Sequence, residues 1–285
     1  MWWPVFTLAI GYYFIDVSFN LPIPNGTDNS DFSVLSFNTH YFRERRDYTN
    51  FQPGTIEWAA NDDANIKCFQ EYSSSNSNPN TDVILLMDEN GYNHHVFSED
   101  TGENNRGLAI FSKFPMVDKG VIFLNPGTHN NCIYADILIK GDTIRIYNFH
   151  LKSMNLQLSE FKRTKNISGK SKRTVTTLGS ASSKRAVELD HIMESLDKCP
   201  YPYILACDFN EFMYGNNYYK IRKKATNSFE EAGRGFGFSF NSILFFIRID
   251  HQFFSEGIQA IDFKVIRGIK SSDHYPIKGW YTIKD

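Results

Sequence analysis

The chain has 285 residues, enough for one large domain or two small ones, and its 41% hydrophobic and 22% charged content is ordinary for a soluble globular protein. A net charge of −2 excludes a whole-molecule attraction to nucleic acid or anionic lipid. The four cysteines (Cys68, Cys132, Cys199, Cys207) show no paired metal-ligand spacing, and three lie in or beside apolar strands, so buried free thiols are expected rather than a disulfide framework.

Residues 1–15 (MWWPVFTLAIGYYFI) carry no charge, and the first Lys or Arg is Arg43. The stretch is shorter than the roughly 20 apolar residues a spanning helix needs. It has neither the basic start nor the small-residue cleavage site of a secretory signal. Trp2 and Trp3, with Tyr12 and Tyr13, fit an interfacial aromatic belt. One reading is an extra strand or helix packed on the domain. The reading adopted is that residues 1–19 are the remnant of a membrane helix whose upstream part lies outside this sequence, which makes the protein membrane-associated. Residues 20–30 (NLPIPNGTDNS) then form a linker, and 31–285 the functional domain.

Asp31 to Asn38 alternates as a strand, with Phe32, Val34 and Ser36 on one face and Leu35 and Phe37 on the other. Thr55 to Asn61 reads as a helix, Ile66 to Gln70 as a strand running into Glu71, Tyr72 to Thr81 as a loop, and Val83 to Met87 as a short helix. Leu108 to Phe111, Val117 to Phe123, Cys132 to Ile139 and Thr143 to Asn148 read as strands in close succession, the last two joined at a Gly141-Asp142 turn. Between Lys152 and Arg185, nine Lys or Arg against the single acidic Glu160 give a local charge of +8. Ser, Thr and Gly dominate the remainder, so a long mobile loop or partly ordered insertion is expected, either a solvated surface or an arm toward an anionic substrate.

From Ser182 to Leu196, Ala186, Leu189, Met193 and Leu196 recur at helical spacing. Tyr203 to Cys207 is a strand, Asn216 to Lys224 a short helix, and Gly233 to Gly237 a flexible turn lacking the context of a nucleotide cradle. Phe245 to Ile249 reads as a strand ending in Asp250, followed by strands at Ile261 to Ile266 and Ile277 to Ile283. Strands outnumber helices and hairpins are frequent, which predicts mixed or antiparallel sheets with helices outside.

Polar groups recur where these strands end: Asn38, Glu71, His150, Asp208 with Asn210, Asp250, and Asp273 with His274. Each has a plain structural explanation: a strand terminator, a hydrogen-bonded structural histidine, an Asp250–Arg248 salt bridge, a turn cap. Together they suit metal-assisted hydrolysis of a phosphate ester. Hard oxygen ligands without a Cys cluster suit Mg²⁺ or Mn²⁺ rather than structural zinc. A phosphodiester repels hydroxide, so the site must neutralise charge, aim water in line and stabilise the leaving oxygen. Two histidines can donate to phosphoryl oxygens or act as acid-base groups, and an Asp bonded to a His favours its protonated form.

The groups stand in the motifs LSFNTH (Leu35 to His40), KCFQEY (Lys67 to Tyr72), GLAIFSKFP (Gly107 to Pro115), YNFHLKS (Tyr147 to Ser153), ILACDFNEF (Ile204 to Phe212), RIDHQFF (Arg248 to Phe254) and SSDHYPI (Ser271 to Ile277). In these the chain resembles the endonuclease/exonuclease/phosphatase superfamily, the deoxyribonuclease I-like metal-dependent phosphoesterases, over Phe32 to Ile283. It also looks like a bacterial branch in which the hydrolase domain follows N-terminal membrane helices. The resemblance implies an α/β (α+β) fold, a four-layer α/β/β/α sandwich of two packed mixed sheets with helices outside. It implies Glu71 as principal Mg²⁺ ligand (Mn²⁺ an alternative), with Asn38 and Asp273 in the metal site. Asp208 would position or deprotonate the attacking water, with Asn210 orienting it and the phosphate. His274, paired to Asp250, would stabilise the pentacovalent phosphorus or act as acid-base group, and His150 would bind a non-bridging oxygen.

The implied function is Mg²⁺-dependent phosphoester hydrolysis of nuclease or phosphodiesterase type. The alternatives are a phospholipid or inositol-phosphate phosphoesterase at a membrane surface, and a catalytically silent phosphate-binding module. The expected partners are a phosphate-ester substrate (nucleic acid, phospholipid or inositol phosphate) and a membrane met through the N-terminus, with no obligate protein partner evident. His251 is left as either a further phosphate contact or a surface group, and Phe229 to Phe246 as a rim for a base, sugar or lipid headgroup.

Overall fold

The computed structural model describes residues 11, 17–21, 26–45, 49–76, 78–99, 106–126, 128–153, 167–242 and 246–284, with the backbone alone at 28 and 167–178. Most of the apolar N-terminal segment, including Trp2, Trp3, Tyr12 and Tyr13, lies outside the described residues, as does 154–166 of the basic stretch.

The described strands are β1 (Phe32–Asn38), β2 (Ile66–Ser73), β3 (His94–Glu99), β4 (Arg106–Ser112), β5 (Met116–Leu124), β6 (Asn131–Ile139), β7 (Asp142–His150), β8 (Tyr203–Asp208), β9 (Thr226–Asn227), β10 (Asp250–Phe254), β11 (Ile258–Val265) and β12 (Ile277–Ile283). They form two six-stranded sheets, ordered β11-β12-β1-β2-β4-β3 and β5-β6-β7-β8-β10-β9. Each sheet is mixed, with one parallel pair at its centre, β1 with β2 and β7 with β8. The other neighbours run antiparallel.

The layers follow from the pleat, which sends successive side chains to opposite faces. Phe32 and Val34 of β1 meet Ile66 and Cys68 of β2, Ile144 and Ile146 of β7, and Ile204 and Ala206 of β8 between the sheets. Leu35 and Phe37 face outward, under the buried Ile56, Ala59 and Ala60 of α1 (Pro53–Asn61) and Val83 and Met87 of α2 (Val83–Glu89). Tyr203, Leu205 and Cys207 of β8 face outward under Leu189, Ile192 and Leu196 of α3 (Ile167–Lys198) and Tyr218 and Ile221 of α4 (Asn216–Arg222). The result is the four-layer α/β/β/α sandwich. Each fully buried aliphatic side chain here contributes about 1.5–3 kcal/mol.

Local sequence explains the helix starts. Pro53 opens α1, where its missing N–H costs nothing, and the Asp82 carboxylate caps α2 by accepting from Leu85 N–H at 3.1 Å. A fifth helix, α5 (Ser228–Ala232), is capped by Asn227, whose side-chain oxygen accepts from Phe229 and Glu230 N–H.

Two polar pins cross the inter-sheet core. Gln70 Nε2 donates to Asn148 Oδ1 at 2.7 Å, and Asn148 Nδ2 donates to the Phe69 and Ala109 carbonyls at 2.9 Å each. Gln252 Nε2 donates to the Val34 carbonyl at 3.0 Å, while its Oε1 accepts from Tyr281 OH at 2.6 Å. Such bonds cannot be remade in another register, so they fix how one sheet sits on the other.

Several sequence expectations are corrected. The second part of the basic stretch is helix rather than loop, since α3 begins at Ile167. Its buried face is rotated from the apolar stripe read in sequence: Ile192 is in the core, Ala186 and Met193 are half-buried, and the charged Arg185 and Glu188 are buried. The segment at 247–249 is not strand, and β10 begins at Asp250. Free thiols are found at all four cysteines, three of them buried.

Residues 17–20 pack on the domain. The Val17 carbonyl accepts from Arg248 Nη2 at 2.6 Å, and Asn20 Nδ2 donates to the Phe229 and Glu230 carbonyls at 3.0 and 2.5 Å. Among the described residues, no helix is long and apolar enough to cross a membrane.

Candidate active site

The two parallel pairs finish at the same edge of the sandwich, and pleat parity decides which side chains enter the cleft. Asn38 follows Val34 and Ser36 on the inner face of β1, His150 follows Ile146 and Asn148 on β7, and Asp208 follows Ile204 and Ala206 on β8. Their antiparallel neighbours start where these strands stop. Asp250 therefore opens β10 rather than closing a strand, and sits opposite Asp208 in register. Asp273 and His274 precede β12 beside the end of β1, where Ser272 Oγ donates to the Asn38 carbonyl at 2.8 Å and accepts from His274 N–H at 3.1 Å.

Glu71 arrives by a different route. Alternation after Phe69 would send it to the helix side, but the β2–β4 register slips between Phe69 and Tyr72. Glu71 itself has φ 46°. This bulge lets Phe69 and Tyr72 both face the helices while Glu71 turns into the cleft. Thr39 steadies it, its N–H bonding the Gln70 carbonyl at 2.9 Å and its Oγ1 the Glu71 carbonyl at 2.8 Å. His40 and Asn210 share the left-handed backbone, at φ 50° and 48°. Each such non-glycine residue costs about 1–3 kcal/mol, held by the surrounding structure.

Asp208 is the hub. Its Oδ2 accepts from Asn38 Nδ2 at 2.8 Å and lies 3.5 Å from His150 Nε2 and 3.7 Å from His274 Nε2, while its Oδ1 accepts from Asn210 N–H at 3.0 Å. His150 Nδ1 faces the His129 carbonyl at 3.1 Å, so that nitrogen carries the proton. Its Nε2 faces Asn210 Nδ2 at 2.8 Å. The same amide group donates to the Leu151 carbonyl at 3.1 Å, which fixes the amide orientation and makes Nε2 the acceptor.

His274 Nδ1 bonds the Asp250 carboxylate, and its ring edge meets Phe240. Burial pulls the His274 pKa down, but the carboxylates of Asp250 and Asp208 outweigh it and hold the ring well above its ordinary value. Burial opposes ionisation of Asp273 too, yet the charges of His274, His40 and Arg45 keep its carboxyl below the usual range.

Two groups of ligand atoms could hold a metal. Asp208, Asp250 and His274 bring theirs within 4.8 Å of one another, all buried. There His274 Nδ1 is committed to Asp250. The second group is open: Glu71 Oε2 and Asp273 Oδ1 lie 3.7 and 3.8 Å from the same His40 Nδ1, with side chains 22% and 32% exposed. Glu71 Oε1 is also 3.9 Å from His150 Nε2, so this group borders the hub. Partly exposed oxygen donors suit a hard cation that keeps waters, and we favour this second group on that ground.

All eight residues singled out in the sequence line one cleft. His40, lying between the two exposed carboxylates, was not assigned a role from sequence, although it ends the motif that contains Asn38. Ser272, Ser239 and the His129 carbonyl were likewise not singled out; Ser239 Oγ accepts from Ile249 and Asp250 N–H at 3.2 and 3.1 Å. His251 is neither a phosphate contact nor a surface group. It points to the opposite face of β10, 1% exposed against Tyr218, Phe209 and Phe253, where burial drives its pKa well down. Asp250 pairs with His274, not Arg248, whose guanidinium lies over the Phe229 ring.

A family model described as the endonuclease/exonuclease/phosphatase family matches residues 35–274. No curated protein matches the chain significantly. Similar solved structures include an endonuclease/exonuclease/phosphatase from Beutenbergia cavernae, at 14% identity and TM-score 0.63 over 88% of this chain and 71% of that one. A mannosyl-6-phosphatase from Bacteroides thetaiotaomicron is 19% identical, with TM-score 0.59 over 88% of this chain and all (100%) of that one. Truncated TDP2 from Caenorhabditis elegans is 18% identical, with TM-score 0.59 over 89% and 98%.

Proposed function

The chain belongs to the endonuclease/exonuclease/phosphatase family of phosphoesterases, and from that premise we propose that it is a Mg²⁺-dependent hydrolase of phosphodiesters, of nuclease or phosphodiesterase type. The reading rests above all on Asp208, a buried carboxylate with one oxygen held by Asn38 at 2.8 Å and facing two imidazoles at 3.5 and 3.7 Å. In this reading Glu71 and Asp273 hold the ion, with Asn38 beside them. The ion, when bound, neutralises phosphate charge and polarises the phosphoryl oxygen, and Mn²⁺ substitutes for it. Asp208 takes the proton of the attacking water, with Asn210 fixing its orientation. His274, kept protonated by Asp250, donates to the phosphoryl oxygens as charge grows. An incoming phosphate oxygen is an acceptor for Asn210 Nδ2 and, once the ring is protonated, for His150 Nε2.

A second reading, a phospholipid or inositol-phosphate phosphoesterase at a membrane surface, is favoured by an exposed apolar patch. Leu21 is 78% exposed, and Phe236 and Phe246 are 51% each. Phe19 meets the Phe236 ring, Phe236 stacks on Phe238, and two residues further along the chain Phe240 meets His274. In that case the protein is membrane-associated. A silent phosphate-binding module is disfavoured by the intact Glu71, Asp208 and His274. The test is turnover of plasmid, single-stranded DNA, RNA, sphingomyelin, inositol phosphates and a sugar phosphate with Mg²⁺. Turnover of nucleic acid supports the first reading and of lipid the second; phosphate binding without turnover of any substrate overturns both.

A further inference from the structure

Helix α3 buries two charged side chains one turn apart, Arg185 (2% exposed) and Glu188 (7%), and both grip the peptide of Lys152. Glu188 Oε2 accepts from Lys152 N–H at 2.8 Å, and Arg185 Nη1 donates to the Lys152 carbonyl at 2.9 Å. Each also holds a second loop. Glu188 Oε1 accepts from Asn125 Nδ2 at 3.0 Å. Arg185 Nε donates to Glu211 Oε2 at 2.9 Å, and Asn217 Nδ2 reaches the same oxygen at 2.7 Å.

Each loop supports the reacting histidine. Lys152 lies two residues beyond His150. Asn125 opens the turn whose His129 carbonyl receives His150 Nδ1, and Glu211 follows Asn210, whose amide meets His150 Nε2. Both ring nitrogens of His150 therefore rest on segments that Arg185 and Glu188 hold.

We infer that Arg185 and Glu188 are positioning residues for phosphoester hydrolysis, a clamp that fixes the orientation and tautomer of His150 through Lys152, Asn125 and Glu211. The proposal rests on the phosphoesterase reading above. Stability alone does not call for these residues: a buried ion pair such as Arg185–Glu211 gains little over aliphatic packing, and the rest of this helix face uses Leu189, Ile192 and Leu196. Only directional donors and acceptors hold both the N–H and the C=O of one residue. The same bonds also tie the first residue of the basic stretch to its last, beside the cleft.

The test compares wild type, Glu188→Ala and Glu188→Gln in the full chain. Bis-p-nitrophenyl phosphate turnover is measured with Mg²⁺, and ¹⁵N NMR of the His150 ring is recorded without substrate. In Glu188→Ala, kcat should fall about 10–100-fold with KM changed less than about twofold, the effect of a small displacement away from the chemistry. The Nδ1–H signature of His150 should give way to a tautomer mixture, and Glu188→Gln should recover most of both. Wild-type kcat and an unchanged His150 signature in Glu188→Ala would overturn the clamp. If that variant does not fold, Arg185→Lys carries the same test, because one ammonium cannot span Lys152 and Glu211 as the guanidinium fork does; unchanged values there overturn the proposal equally. A wild-type protein that hydrolyses nothing, yet shows the His150 change in Glu188→Ala, counts against the reaction and for the clamp.

Discussion

His274 Nδ1 lies 2.9 Å from both carboxylate oxygens of Asp250, while its Nε2 looks 3.7 Å across the cleft to Asp208 Oδ2. Asp250 thus holds the Nδ1 proton, and the protonated ring presents a second proton, on Nε2, to the cleft. Because the folded His274 pKa is raised above the ordinary 6.5, the stabilisation is complete below about pH 6.5 and is lost as pH rises through the folded value. Unfolding free energy from urea titrations should therefore decline on the alkaline side. Asp250→Asn should flatten that decline and lower kcat about 10²–10⁴-fold. A wild-type stability indifferent to alkaline pH would refute the assignment.

Glu71 and Asp273 face the solvent side of the cleft around one imidazole nitrogen. Glu71→Gln should raise the Mg²⁺ concentration for half-maximal activity beyond the roughly 10–100-fold typical of residues that merely support ligands. EDTA should stop the wild type, and Mg²⁺ or Mn²⁺ restore it. Activity that survives EDTA would count against the metal assignment.

Asp208 and Asp250 sit opposite each other in register, and Asp250, whose pKa burial raises, is pushed further up by the Asp208 charge. Asp208→Asn removes one of the two charges while keeping a hydrogen-bonding side chain. Bis-p-nitrophenyl phosphate turnover should fall at least about 10³-fold, with a melting temperature equal to or above that of the wild type. Retained turnover would remove Asp208 from the reaction.

The apolar patch gives the lipid reading its own test. Leu21→Ser with Phe236→Ser should leave thermal stability within about 0.5 kcal/mol, as both side chains are exposed. If the patch meets a bilayer, co-sedimentation with phosphatidylcholine vesicles should drop in this variant while turnover of a soluble diester is kept. Equal sedimentation of variant and wild type would retire that reading.

Gly279 lies on β12 where the inter-sheet pin passes. A Cβ there would stand 2.4 Å from Tyr281 OH and 2.5 Å from Gln252 Oε1. Gly279→Ala should cost about 1–3 kcal/mol in denaturant unfolding by spreading the sheets. A neutral result would mean the pin yields easily.

Much of the site is legible in sequence because a pleated strand obeys parity. Asn38, His150 and Asp208 extend inner-face rows already marked by Val34, Ile146 and Ile204, so their convergence follows from which apolar residues pair. Glu71 does not follow: its entry depends on a left-handed residue inside a bulge, and nothing in Phe69-Gln70-Glu71-Tyr72 announces that turn. The start of α3 was missed because Ser, Thr and Lys at 168–177 lack an apolar stripe. Arg185 falls in the stretch read as a solvated surface or a substrate arm, and Glu188 carries no signal of its own, since charge in sequence does not reveal partners such as the Lys152 N–H and carbonyl. Of the strand read at 245–249, the described residues 246–249 are not strand, because an apolar run of that length has no periodicity to separate strand from extended loop.

Strand β1 pairs with β12, more than two hundred positions away along the chain, and the cleft draws one ligand group from each end of that span. During synthesis the ribosome delivers Asn38 and Glu71 long before Asp273 and His274. A nascent chain lacking the later residues has no working reaction centre, whatever local structure it acquires. With the residue roles proposed above, phosphoester cleavage would switch on only after residue 283 has emerged and the two sheets have closed, and enzymatic activity would then report on completed folding.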